Sequence, residues 1–208
     1  MYNFFKPSHQ VLLNKHFFFF FQKFWHKKKP FSENYSFQIH DPFEIFGEDT
    51  KGFEKLYLVG DNWIENPDKP IAIIIGCNDW KFGFIADYLV DFRCAFGTRK
   101  LVGFNMTKVI FNLDIKPEVA VVWGYTETSF LRFYLNKKKI PIWRVEDGFI
   151  RSATLGAVHS TPYSLVIDKT GLYYNGSHTS DIENILNNYD FDEDNLSKDQ
   201  AVKLLKLI

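Results

Sequence analysis

The chain has 208 residues, 46% of them apolar and 24% charged, enough for one ordinary domain or for half of a larger one. Its 25 basic and 25 acidic side chains cancel to a formal net charge of zero, which excludes a whole-molecule attraction to nucleic acid. Cys77 and Cys94 belong to no CxxC pair, which excludes a disulfide framework or zinc knuckle and leaves both as small buried hydrophobes.

The aromatic excess, 23 Phe among them, is concentrated early. The segment VLLNKHFFFFFQKFWHKKK (Val11–Lys29) is too interrupted by Asn14, Lys15, His16, Gln22 and Lys23 to span a bilayer. It also lacks the order of a secretory signal, because its lysines follow the apolar run. Two readings stand: a helix lying in the membrane interface, with Phe17–Phe21 in the acyl boundary and Lys27–Lys29 on anionic lipid, or an N-terminal helix packed on the domain. Residues 30–70 read as irregular, punctuated by Pro30, Pro42, Pro67 and Pro70. Within them KLYLVG (55–60) reads as a short edge strand. The chain thus divides into an aromatic, basic segment with its linker, 1–65, and an α/β domain, 66–208.

From Ile71 the pattern becomes regular. IAIIIG (71–76) is a continuous apolar run ending in Gly, as a strand covered on both faces requires. NDWKFGFIADYLVDF places Phe84, Ile85, Tyr88, Leu89 and Phe92 at helical spacing. KLVGF (100–104) and KVIFN (108–112) are short apolar runs. PEVAVVWG (117–124) is a second buried strand, TETSFLRFYLNKKK (126–139) a helix capped at Thr126, Thr128 or Ser129, and IPIWRVE (140–146) a third strand. Strand, helix, strand, helix, strand predicts a Rossmann-like parallel sheet with right-handed crossovers. Ligands bind such sheets at the strands' C-terminal ends, so Gly76–Lys81, Trp123–Thr128 and Glu146–Arg151 are the candidate site edges. The first carries no GxGxxG or Walker pattern, which excludes a simple dinucleotide or P-loop site. On geometry alone, Arg151 could equally form an ordinary ion pair with Glu146 or Asp147.

PYSLVIDKTGLYYNGS (162–177) reads as a β-hairpin about a Lys-Thr-Gly turn. Ser180 and Glu183 form a capping box for SDIENILNN, and SKDQAVKLLKLI begins a last helix with Ser197 as its cap. That helix meets no stop signal before Ile208, so the chain is expected to end inside an element. His159 and His178 have no partners at metal spacing, and no metal site is expected.

In order and spacing, "VVWG", "IPIWRVEDGFIRSATLG" and "TPYSLVIDKTGLYYNGSHTSDIENIL" resemble the capsule polysaccharide biosynthesis and export proteins of Gram-negative bacteria. These are retaining β-Kdo glycosyltransferases that build a poly-Kdo linker on a lipid acceptor. The likeness rests on Trp123 and Gly124, on Glu146, Asp147, Gly148, Phe149, Arg151 and Ser152, on Gly156, Pro162, Ser164 and Asp168, and on Gly171, Tyr173, Tyr174, Ser180, Asp181 and Glu183. WKFGFIADYL resembles the family's Trp-Lys helix opening, and the likeness covers roughly residues 70–190. Asn175 departs from the Asp usual after the Tyr-Tyr pair, and GYTETS lacks the basic residues that some members have after Trp-Gly.

The resemblance implies the N-terminal, acceptor-side half of a two-domain, GT-B-like enzyme. The CMP site and the nucleophilic carboxylate would then lie in a second half beyond Ile208. It implies Kdo transfer from CMP-Kdo to a lipid-linked saccharide acceptor, with no cofactor, in contact with the capsule assembly and export machinery. The location would be cytoplasmic, peripheral at the inner membrane. Glu146 would be the catalytic carboxylate, as base or intermediate-stabilising group, with Asp147 orienting it or holding the turn. Arg151 is suited to a bidentate contact with a sugar carboxylate; Ser152, Trp123 and Gly124 would complete the substrate contacts. Asp147 and Ser152 also read as turn-capping residues, and Tyr173 and Tyr174 as hairpin packing or sugar platforms. The alternative function is a saccharide- or lipid-binding remnant that keeps the fold without transfer.

Overall fold

A computed structural model of the chain describes residues 37–149, 164–190 and 194–206. The aromatic segment Val11–Lys29 and the candidate site residues Arg151 and Ser152 lie outside the described residues, as do Gly156, His159 and Pro162.

Seven strands form one mixed sheet: β1 (Ile39–His40), β2 (Tyr57–Val59), β3 (Ile71–Ile75), β4 (Arg93–Phe96), β5 (Val119–Trp123), β6 (Ile142–Asp147) and β7 (Leu165–Asp168). Their spatial order is β1-β2-β4-β3-β5-β6-β7. The central four, β4, β3, β5 and β6, are parallel, as the strand–helix alternation predicts for β3, β5 and β6, with Ile73 opposite both Ala95 and Ala120, and Trp123 opposite Val145; β4 is an addition. Antiparallel strands close both flanks: β2 on β4, β1 on β2, and β7 on β6.

Every residue of β3 is buried, because helices cover both faces. On one side Ile71, Ile73 and Ile75 pack with Met106, Val109 and Ile110 of α4 (Phe104–Asn112) and with Leu131 and Leu135 of α5 (Ser129–Lys137). Trp63 of α2 (Asn62–Glu65) joins that layer, which α1 (Pro42–Phe46) flanks through Ile45 and Phe46. On the other side Ala72 and Ile74 meet Phe82, Phe84 and Ile85 of α3 (Phe82–Tyr88). Thr128 caps α5, its hydroxyl accepting from the Leu131 amide at 3.3 Å. The Ser180–Glu183 capping box opens α6 (Asp181–Asn188). For α7 (Asn195–Leu205) the first-turn acceptor is Asp194, which takes the Ser197 amide at 2.9 Å, so the cap stands three residues earlier than the sequence reading placed it.

Three readings are corrected. Residues 37–65 are not irregular: they supply two strands and two short helices to the same sheet and core. KLYLVG forms β2, which is not the edge, since β1 lies outside it. The hairpin does not form, because β7 pairs with β6 and, among the described residues, no return strand follows it. The cause is Asp168, whose fully buried carboxylate accepts from the amides of Thr170 (2.9 Å), Gly171 (2.7 Å) and Asp181 (2.8 Å). Gathering those amides folds residues 169–180 back on the strand end and delivers the chain directly to α6.

Candidate functional site

Parallel pairing of β3, β5 and β6 sets their C-terminal ends side by side, and this edge carries the polar residues. Gly76 ends β3 with φ +83°, and a Cβ there would stand 1.9 Å from Thr126 Oγ1. The loop after β5 therefore crosses the end of β3 in a space that only glycine leaves open. Gly124 ends β5 with φ +55°, and a Cβ there would lie 3.4 Å from the Tyr174 hydroxyl and 3.5 Å from Glu146 Oε2.

Alternation along β6 sends its two terminal acids to opposite faces of the sheet edge. Glu146 goes with Gly124 and Tyr174: its Oε2 accepts a long 3.5 Å hydrogen bond from the Tyr174 hydroxyl, and its Oε1 accepts the Asp147 amide at 3.1 Å. Asp147 goes the other way, to the Lys81 ammonium at 3.4 Å. That Lys81 side chain is 8% exposed and lies 3.3 Å above the centroid of the Trp123 ring. The buried ammonium thus meets the Asp147 carboxylate and the indole faces of Trp123 and, at 5.0 Å, Trp80. Asp147 thus meets Glu146 through its amide and Lys81 through its carboxylate.

Both acids are half-buried. Burial pushes the Glu146 carboxyl above its ordinary pKa, with a further rise from the Asp147 charge. The Asp147 amide, Lys81 and Tyr174 pull the other way without cancelling it. The Tyr174 hydroxyl is raised too, by its own burial and then by the Glu146 charge beside it.

Beneath this edge lies a buried ion pair absent from the sequence reading. The Arg144 guanidinium meets Glu127 through two hydrogen bonds of 2.7 and 2.8 Å and donates to the Gly124 carbonyl at 3.1 Å. Arg132 adds a second cation to Glu127 at 2.7 Å. Burial alone would raise the Glu127 pKa, but the hydrogen bonds and charge of Arg144, with help from Arg132, hold it below the usual carboxylate value. The Arg144 guanidinium also stacks 4.4 Å from the Tyr125 ring centroid. Tyr125 in turn accepts the Leu172 amide at 3.0 Å on its hydroxyl and meets the Tyr174 ring edge-on at 6.2 Å. The pair therefore fixes Gly124 and Tyr125, and through them the tyrosine that touches Glu146.

Of the expected site residues, the structure brings together Glu146, Asp147, Trp123 and Gly124. Lys81, Arg144, Glu127 and Tyr125 are additions. Lys81 stood in the Trp-Lys helix opening, so a signal existed for it; Glu127 and Arg144 are 17 positions apart, and nothing local in the sequence joins them. Among the described residues no group of His, Cys, Asp and Glu is arranged to hold a metal.

Residues 118–205 match the family described as capsule polysaccharide biosynthesis protein. The lipopolysaccharide-processing protein LpsZ of Rhizobium meliloti is 35% identical over 158 residues, covering 76% of this chain and 36% of LpsZ. The capsule polysaccharide modification protein LipA of Neisseria meningitidis serogroup A is 39% identical over 110 residues, covering 52% of this chain and 15% of LipA. The chain thus spans about a third of LpsZ and less of LipA. Among solved structures, the beta Kdo 2,7 transferase KpsC of Thermosulfurimonas dismutans aligns at a TM-score of 0.43 and 24% identity, over 66% of this chain and 42% of that one. The family match spans β5, β6, β7 and the two helices after them, which include the strand ends where Trp123, Gly124, Glu146 and Asp147 converge. Over residues 118–205 the chain is similar to the capsule polysaccharide biosynthesis protein family, and its two curated relatives share that likeness.

Proposed function

We propose that this chain is the acceptor-side module of a retaining β-Kdo transferase, moving Kdo from CMP-Kdo to a lipid-linked saccharide. The family match over residues 118–205 supports a part in capsule polysaccharide biosynthesis. The observation that supports transfer is Glu146: a half-buried carboxylate at the ligand-binding edge of a parallel sheet, its pKa raised by burial. A carboxylate so raised exchanges a proton near neutral pH more readily than an exposed one.

In a double displacement, a carboxylate nucleophile bonds to the anomeric carbon as CMP leaves. The acceptor hydroxyl oxygen then attacks that carbon, the nucleophile departs with its electron pair, and Glu146 takes the hydroxyl proton. In this reading the nucleophile and CMP contacts come from the part of the relatives' length outside the matched 36% of LpsZ. Lys81, held between Asp147 and Trp123, places positive charge beside the site of an acidic sugar. Asp147 keeps that ammonium in place, and its own amide aims Glu146. Arg151 and Ser152 remain as proposed substrate contacts, and a lipid-linked acceptor puts the reaction at the cytoplasmic face of the membrane, beside the export machinery.

Kdo incorporation from CMP-Kdo into a lipid-linked acceptor tests this. Glu146→Gln should lower the transfer rate about 10²-fold or more, as loss of acid–base chemistry does, with thermal unfolding unchanged. Wild-type rates in that variant, or its failure to fold, would remove Glu146 from the chemistry.

A further inference from the structure

Helices α4 and α5 cover one face of the sheet and should present polar residues outward. Beside polar residues such as Asn105, Asn112 and Asn136, they also present large aromatic ones. On α4 the outward positions include Phe104, Lys108 and Phe111, at i, i+4 and i+7; on α5 they include Phe130, Phe133 and Lys137, at i, i+3 and i+7. The four phenylalanines are 58%, 69%, 51% and 66% exposed. The inward positions, Met106, Val109, Ile110, Leu131 and Leu135, already fill the core, so these rings are surplus to folding.

The two helices lie side by side in one direction. Phe104 and Phe130 meet at their N-terminal ends, with centroids 5.7 Å apart, and Lys138 lies 5.9 Å from the Phe111 ring at the other. Residues 104–112 and 129–139 carry Lys108, Arg132, Lys137, Lys138 and Lys139 and no acid, within a chain whose net charge is zero. Arg132 is engaged by Glu127, which leaves four lysines around the rings. Exposed phenylalanines bordered by lysine, with no carboxylate, match the chemistry of an anionic bilayer surface: rings enter the acyl boundary and ammonium groups meet the headgroups. The rings also stand at the right end of the fold. Gly103, which precedes α4, approaches Thr128, which caps α5, so the Phe104–Phe130 pair lies at the same sheet edge from which Glu146 emerges.

We propose that the outward faces of α4 and α5 form a membrane-docking surface that seats this sheet edge on an anionic bilayer. It deepens the transferase reading by placing the site beside a lipid-linked acceptor, yet its test reads lipid binding alone and can fail while the role of Glu146 stands. The full chain is floated with vesicles of pure phosphatidylcholine and of phosphatidylcholine with 30% phosphatidylglycerol. The expected result is binding to the anionic vesicles that weakens with salt, and a loss of about 10²-fold in the Lys137→Gln/Lys138→Gln/Lys139→Gln variant. Phe130→Ser/Phe133→Ser should weaken binding at high salt as well, where charge is screened; should this variant fold poorly, the lysine variant decides. All these positions are exposed, so the lysine variant should melt with the wild type. Wild-type vesicle binding by both variants would assign lipid contact to another part of the chain and overturn the proposal. So would the absence of vesicle binding, whether accompanied by binding to an RNA oligonucleotide or by self-association that the same variants abolish.

Discussion

At the scale of single residues, the Arg144–Glu127 pair shows how a buried charge can serve a site without entering it. Two charges removed from water are stable together only while both remain. Glu127→Ala should therefore cost about 3–5 kcal/mol in urea unfolding, because it strands the Arg144 guanidinium in the interior. The double variant Glu127→Leu/Arg144→Met should recover more than half of that loss, since it removes both charges while keeping volume. The pH dependence has a definite sign. Folding depresses the Glu127 pKa below its ordinary 4.5, so its contribution is fully present above that value and is lost as pH falls through the folded value. The gap between wild type and Glu127→Ala should then be constant near neutrality and shrink below about pH 4.5. A gap that holds its size in acid would mean that Glu127 acts by packing alone. In the sequence Arg144 stood inside an apolar strand pattern with no sign of its partner, whereas Glu146 and Asp147 were legible because a strand had just ended there.

At the scale of elements, three of the four parallel strands, β3, β5 and β6, and the helices after β3 and β5 were legible because their signals are local. Continuous β-branched runs mark β3 and β5, and Thr128 and the Ser180–Glu183 box mark two helix starts. Strand β4 was not legible: Arg-Cys-Ala-Phe has no β-branched residue and follows a helix after four residues. The hairpin misreading has a related cause, because a turn signal reveals a reversal but not what the chain pairs with afterward. Here one carboxylate decides the outcome. Asp168→Asn keeps the shape but exchanges an acceptor for an NH₂ that must face backbone amides, so it should cost about 3 kcal/mol. Ser180→Ala removes one capping bond and should cost about 1 kcal/mol. Guanidinium melts of both variants compare them directly. Equal losses would mean that Asp168 does not organise the β7–α6 connection.

At the scale of the whole molecule, the sheet is built from both parts of the division read at residue 65. Parallel strands need cover on both faces, and the earlier part adds Phe53, Leu56 and Trp63 to the face that α4 and α5 pack on. Phe53 and Leu58 are fully buried and Trp63 nearly so. Phe53 and Trp63 pack edge to face at 5.7 Å, and the Trp63 indole NH donates to the Cys94 carbonyl in β4 at 2.9 Å. Strand β2 also shields the edge of β4, with Leu58 opposite Ala95. A chain begun at residue 66 would lose these side chains, each contributing about 1.5–3 kcal/mol through burial, and would leave β4 as a bare apolar edge. Against a typical total stability of about 5–15 kcal/mol, that loss is decisive. The shortened chain should be insoluble or melt without a cooperative transition, whereas the full chain should unfold in one step across β1–β7. Circular dichroism melts with parallel solubility measurements distinguish the two. A soluble, cooperatively folding chain from residue 66 would show that β1, β2 and α2 decorate the core and do not complete it.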